Sequence, residues 1–259
     1  MSPTDVWKLT DPNTKPLQCD QVALGYFKNF AQNKYETSIE IYYKDLKHII
    51  DYKEGAKTLM NSAMELDLLD GKGYNYGSEV FIRKNAGSLT GWISYTYSVA
   101  ERKTTSNFDA EQINNNHYYP ASYDRPHNLV INANYHISRR WRISGSFSYA
   151  TGRPETYPEY SYTNKGYDVV QWSARNKYRL PDYHRLDISV SLDESLRIKK
   201  KWKGNWTLSI INVYGRKNAY SAFYQKTTPL PTNNYKSYTY YKMYIIGNPL
   251  PTLTYNFTF

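Results

Sequence analysis

The sequence predicts an all-β protein, an antiparallel transmembrane β-barrel wall, and three observations predict it. Apolar and polar residues alternate with period two in successive segments of about ten residues, the length that crosses a bilayer at barrel tilt. The connections between those segments alternate strictly between short and long. Aromatic usage is skewed, with 29 Tyr and 6 Trp against 8 Phe. Tyr and Trp join an apolar ring to a polar tip, so they concentrate where hydrocarbon meets water, including the two aromatic girdles of a membrane barrel.

The segments follow in order. Residues 22–30 (VALGYFKNF) enter a first hairpin at Ala31, Gln32 and Asn33. Residues 35–44 (YETSIEIYYK) put Tyr35, Thr37, Ile39, Ile41 and Tyr43 on one face. Residues 76–84 (YGSEVFIRK) and 89–98 (LTGWISYTYS) join through Asn85, Ala86 and Gly87. Residues 127–137 set Leu129, Ile131, Ala133, Tyr135 and Ile137 against Asn128, Asn132, Asn134 and His136. A turn of Ser138, Arg139 and Arg140 leads to the clearest strand, where Trp141, Ile143, Gly145, Phe147 and Tyr149 alternate with Arg142, Ser144, Ser146 and Ser148. One face of each is apolar and the other small, polar or charged, which suits lipid outside and water or a plug inside.

Residues 184–192 set Leu186, Ile188, Val190 and Leu192 against Arg185, Asp187, Ser189 and Ser191, and residues 205–211 (NWTLSII) follow a turn rich in lysine at Lys199, Lys200, Lys201 and Lys203. The last segment places Leu253, Tyr255, Phe257 and Phe259 opposite Thr252, Thr254, Asn256 and Thr258. Short connections fall near 31–34, 84–88, 137–140 and 193–204, and long ones, rich in Tyr, Asn, Lys and Pro, span 46–73, 99–125, 150–182 and 214–246. Short turns at one rim and long loops at the other are the layout of outer-membrane barrels, with short turns periplasmic and long loops extracellular. The count is about nine to ten strands, ten only if residues 4–10 supply one. An open sheet cannot sit in lipid, so strands are otherwise missing upstream.

Other classes are excluded on composition. No run approaches the roughly 18 to 20 apolar residues of a spanning helix. The net charge of +10 is scattered, so nucleic acid is not an expected partner. The single Cys19 gives neither a disulfide framework nor a cysteine zinc site, and His48, His117, His127, His136 and His184 form no metal-binding spacing. No cofactor motif is present; Gly71 and Gly73 lack the context of a phosphate loop. A barrel hydrolase would need a serine beside a histidine base, for which His127 and Ser148 on neighbouring strands are the nearest pair, but no oxyanion group accompanies them. No catalysis is expected. The amino terminus has no basic start and apolar core, so it is not a signal peptide, and the chain is expected to begin inside a longer gene.

The final aromatic strand resembles the C-terminal assembly signal of outer-membrane proteins, carried here by Tyr255, Phe257 and Phe259. Residues 73–98, 119–135 (YPASYDRPHNLVINANY), 147–158 (FSYATGRPETYP), 179–191 (RLPDYHRLDISVS) and 212–220 (NVYGRKNAY) together resemble the C-terminal barrel segment of TonB-dependent receptors, particularly of the Bacteroidetes type. That resemblance implies a barrel of about 22 strands with an N-terminal plug and a TonB box that couples transport to the inner-membrane proton gradient. The implied partners are outer-membrane lipid, the barrel assembly machinery, the missing N-terminal barrel and plug, the TonB complex through that plug, and a surface lipoprotein.

Residues 1–19 then read as an extracellular loop or truncated start and 20–259 as the C-terminal part of the barrel, with the plug absent. The inward charges Glu79, Arg83, Arg142, Arg185 and Asp187 either rigidify the wall or line the substrate path. The loop aromatics Tyr157, Tyr160, Tyr162, Tyr167, Trp172 and Tyr178 suit sugars, glycopeptides or a lipoprotein lid, and equally a self-packed loop. The expected function is uptake of a large nutrient, a siderophore, glycan or peptide, in which this chain alone does not transport. The alternative is a passive porin-like or adhesin-like barrel without TonB coupling.

Overall fold

A computed structural model describes residues 10, 14–56, 61, 63–194, 202–226 and 238–259. The chain runs up and down through β1 (Gln18–Phe30), β2 (Tyr35–Tyr52), β3 (Leu68–Lys84) and β4 (Leu89–Thr104). The two-residue β5 (Tyr119–Pro120) pairs with β4 before the wall resumes in β6 (His127–His136) and β7 (Trp141–Ala150). The next connection folds on itself through β8 (Pro154–Glu155), β9 (Pro158–Asn164), β10 (Tyr167–Trp172) and β11 (Tyr178–Arg179), pairing β9 with β10 and β8 with β11. The chain then returns to the wall in β12 (Tyr183–Asp193) and β13 (Lys203–Ile211). A hairpin of β14 (Ala219–Lys226) and β15 (Tyr238–Tyr244) precedes the final β16 (Leu250–Thr258).

Apart from β5, the main sheet follows the order β1-β2-β3-β4-β6-β7-β12-β13-β16, antiparallel at every step. Each wall strand pairs with the next wall strand in sequence, the simplest path for a closing barrel. Its register turns the alternation of single strands into continuous rows. Ile82, Ile93, Ile131, Phe147 and Leu186 stand side by side across five strands, and every one has the parity of the lipid face. The adjoining inward row reads Glu36, Arg83, Trp92, Asn132, Ser146 and Asp187. A one-residue slip would exchange these rows, so lipid on one side fixes the register.

The wall is one layer thick, and none of the described residues covers its apolar face: Ile41, Leu208 and Leu253 are 52%, 50% and 66% exposed. A contiguous apolar surface of this extent belongs against hydrocarbon. No helix among the described residues is long and apolar enough to cross a membrane. The small buried cluster of Leu69, Ile113 and Tyr119 lies instead beneath the extracellular loops.

The strand set and the alternation of connections agree with the sequence reading, but three strands run further than their apolar pattern. β2, β3 and β4 have 18, 17 and 16 residues, whereas β6, β7, β12 and β13 have 10, 10, 11 and 9. The extension is outside the lipid. Beyond Tyr43 and Tyr76 the outward positions become Asp45, Lys47, Lys72 and Lys103, so the backbone stays paired while the side chains turn to water. Parts of the segments at 46–73 and 99–125 are therefore strand. Of residues 4–10 only Thr10 is described, outside any strand, and Lys199, Lys200 and Lys201 lie outside the described residues; Lys203 begins β13.

One close approach fixes a residue type. Gly91 has φ +151°, and a Cβ there would collide with the carbonyl oxygen of Asn132 on β6. Only glycine allows β4 and β6 to pair at that point.

Candidate functional site

The inward charges do not form one cluster. Arg83 lies 3.8 Å from Glu36 on β2. Glu79 stands opposite Glu40, another carboxylate, in the β2–β3 register. Arg142 lies towards the periplasmic end, opposite His136 and Ser191. Arg185 and Asp187 pair with each other along β12 at 2.9 Å, and Asp187 also accepts the backbone N–H of Asn212 at 2.8 Å. The last contact ties the root of the β13–β14 connection to the wall.

The extracellular mouth is more organised than its sequence indicates. Asp51, at the tip of β2, accepts hydrogen bonds from Arg175 at 2.7 Å and from the Tyr119 hydroxyl at 2.6 Å, with Arg102 at 3.9 Å. Asn114 donates to the Arg175 carbonyl and accepts its backbone N–H, and Asn176 donates to the Pro120 carbonyl. Arg179 binds the buried carboxylate of Asp124 and the Gly152 carbonyl. The end of β2 and the two connections after β4 and β7 are thereby clamped into one cap. Burial, with the bond to Asp51, pushes the Tyr119 hydroxyl well above the usual phenol range, so it remains a donor.

Tyr157 sits at the centre of an aromatic cluster over this cap. Its ring stacks on Tyr178 at 5.0 Å and 9°, meets Tyr224 and Tyr240 at 5.5 and 5.3 Å, and its hydroxyl lies 3.2 Å from that of Tyr240. Trp172 meets Tyr224 edge to face at 6.3 Å. Burial raises the Tyr224 and Tyr240 hydroxyls above the usual phenol range. Of the six loop aromatics named from sequence, Tyr157, Trp172 and Tyr178 thus come together, while Tyr160, Tyr162 and Tyr167 stand exposed on the β9–β10 hairpin. Tyr224 and Tyr240 were not singled out, although the Tyr-rich composition of 214–246 marked that loop. Asp51, Arg102, Tyr119 and Arg175 carried no signal, because an ion pair 124 residues apart has no periodicity.

Tyr255 and Phe257 share the lipid face of β16, and Phe259 directly follows the strand. Phe257 stacks on Trp202 at 4.6 Å, Tyr255 packs on Trp206 at 4.4 Å and accepts the Trp202 indole N–H, and Phe259 is 95% exposed. His127 and Ser148 do not meet. The His127 ring binds the Tyr95 hydroxyl at 2.8 Å on the lipid-facing side, whereas Ser148 pairs in register with Val130 and Arg185 on the other parity. Among the described residues, no group of three or more His, Cys, Asp or Glu could hold a metal.

A cavity of about 370 Å³ opens at the inner side of the mouth, between the top of β12 and the roots of β14 and β15. Arg125, Arg153 and Arg185 line it with Tyr183, Asn218 and Ile246.

The TonB dependent receptor-like, β-barrel family matches residues 4–215 of the chain. The chain is similar in fold to the ferripyoverdine receptor of the outer membrane of Pseudomonas aeruginosa, at 13% identity and a TM-score of 0.58, covering 94% of this chain and 28% of that one. It is similar likewise to the FrpB iron transporter from Neisseria meningitidis, at 13% identity and a TM-score of 0.55, covering 96% of this chain and 32% of that one. The chain therefore spans about a third or less of the length of the solved structures that it matches. No curated protein sequence matches it.

Proposed function

Because the chain belongs to the TonB-dependent receptor-like β-barrel family, and so to the outer membrane, we propose that it forms the C-terminal part of the wall of an energised receptor for a large nutrient, a siderophore, glycan or peptide. The observation that carries the reading is the clamped extracellular mouth, in which Arg175 on Asp51 ties the connection after β7 to the end of β2 beneath the Tyr157 cluster. Large rigid aromatics presented on a fixed loop scaffold suit capture of a bulky ligand at modest entropic cost.

The partners follow from the same reading. Within the described residues β1 and β16 each pair on one side only, and an unpaired edge is not tolerated in hydrocarbon. Further strands therefore continue the sheet, and a plug inside them contacts the TonB complex; this chain alone does not transport. The barrel assembly machinery reads Tyr255, Phe257 and Phe259, and a surface lipoprotein covers the loop aromatics in a receptor of the Bacteroidetes type. The chain performs no catalysis.

The test is growth of parent and deletion strains on single nutrients of the three classes, followed by uptake of the responding one with and without a protonophore. Uptake lost on deletion and abolished by the protonophore is expected. Uptake that persists with the protonophore would overturn the energised reading in favour of a passive porin-like wall.

A further inference from the structure

The cavity at the top of β12 has a chemistry that the aromatic mouth lacks. Three guanidinium groups, from Arg125, Arg153 and Arg185, line it, and no carboxylate is among its described lining residues. They reach it from three separate places: the connection before β6, the connection after β7, and β12 itself. Arg185 points inward, since its parity is that of Ser148 in the β7–β12 register. Tyr183 shares that parity, so both β12 residues line the cavity from the lumen side of the wall.

Their charges are only partly met by the protein. Arg185 spends its Nε and one terminal nitrogen on Asp187, and Arg153 donates one terminal nitrogen to Glu155 at 3.1 Å. The Arg153 Nε is buried without a hydrogen-bond partner, and Arg125 has no carboxylate partner among the described residues. A guanidinium carries five donors in a planar fork, so each of the three retains donors for a further acceptor. Asp187 and Glu155 offset two of the three charges from outside the cavity, and the charge of Arg125 is left for an anion within it. The Tyr183 and Asn218 side chains add neutral polar groups, while Ile245 and Ile246 supply an apolar side.

We propose that this cavity is a binding subsite for the oxyanion of an organic ligand, a carboxylate or phosphate attached to an apolar group. The arginine forks take the oxyanion, and Ile245 and Ile246 take the apolar part. The proposal rests on the reading of the wall as part of a nutrient receptor, because it selects anionic cargo from that class. It places the anionic end of the cargo below the Tyr157 cluster, at the root of the same loops.

The test uses the protein purified from the outer membrane of its own cells, in whatever assembly it occupies there. The probe is 2-naphthoate, followed by its fluorescence anisotropy and compared with uncharged 2-naphthamide. Saturable binding of naphthoate, without binding of the amide, is expected, and Arg125→Gln or Arg153→Gln should weaken it about tenfold each. Arg139→Gln, in a periplasmic turn, should leave it unchanged, and the heat-modifiable mobility of each variant on a gel confirms that it is folded. Equal binding of acid and amide, or no loss in folded Arg125→Gln and Arg153→Gln proteins, would overturn the subsite. Failure of the uptake experiment with naphthoate binding intact would sink the transport reading and leave the subsite standing, so the two outcomes are separate.

Discussion

Arg175 and Asp51 show how much of the mouth depends on single side chains. Both are largely withdrawn from solvent, at 19% and 15% exposure, so their pair is less screened than a surface ion pair. Arg175→Ala leaves the carboxylate without its strongest donor and should destabilise the cap by about 2 kcal/mol. The readout is proteolysis on intact cells, where cleavage within residues 105–126 and 151–177 should accelerate while the wall stays protected. Asp182 offers a test by pH. Its carboxyl is held below the usual aspartate range, first by the Gly152 backbone N–H at 2.9 Å and then by the Tyr149 hydroxyl at 2.7 Å. A lowered pKa means stability that is present above the ordinary aspartate value and lost as pH falls through the lowered one. Hydrogen exchange at the Gly152 amide, corrected for intrinsic rate, should therefore rise in that acid window, and Asp182→Asn should remove the dependence.

At the scale of the strand, the close pairing of β4 with β6 rests on Gly91. Gly91→Val places a branched side chain against the Asn132 carbonyl oxygen in a backbone region that such residues avoid, a cost of about 2 kcal/mol or more. The fraction of heat-modifiable protein in the outer membrane should fall accordingly. The strands themselves were legible wherever one face met lipid, as in residues 141–150, because burial against hydrocarbon writes period two directly into the sequence. The upper halves of β2, β3 and β4 were not legible for the opposite reason: with water on both faces, Asp45, Lys47 and Lys72 suit a strand as well as they suit a loop. His48, with φ +58° beside a register shift, breaks the pattern further. The loop aromatics were visible as a composition, but which of them meet depends on the β14–β15 hairpin folding towards Tyr157, and that is a tertiary fact.

For the whole molecule, lipid supplies the apolar environment that a packed core gives elsewhere, so substitutions should divide by face and not by exposure. Ile131→Arg, in the middle of the outward row, should cost about 2–4 kcal/mol of barrel stability, whereas Thr96→Arg, inward beside Glu79, should change it by less than about 1 kcal/mol. Urea unfolding in lipid vesicles separates the two. The unequal strand lengths have a consequence on the cell exterior. Roughly six to eight additional residues in each of β2, β3 and β4 raise that arc of the wall on the order of 20 Å along the strands above its neighbours. A visitor drifting along the cell surface from that quarter meets a rigid paired fence, while above β6, β7, β12 and β13 it meets folded loops. Approach to the mouth therefore has a compass bearing, and in the receptor proposed above, bulky cargo would arrive over the low quarter, beside Tyr160, Tyr162 and Tyr167.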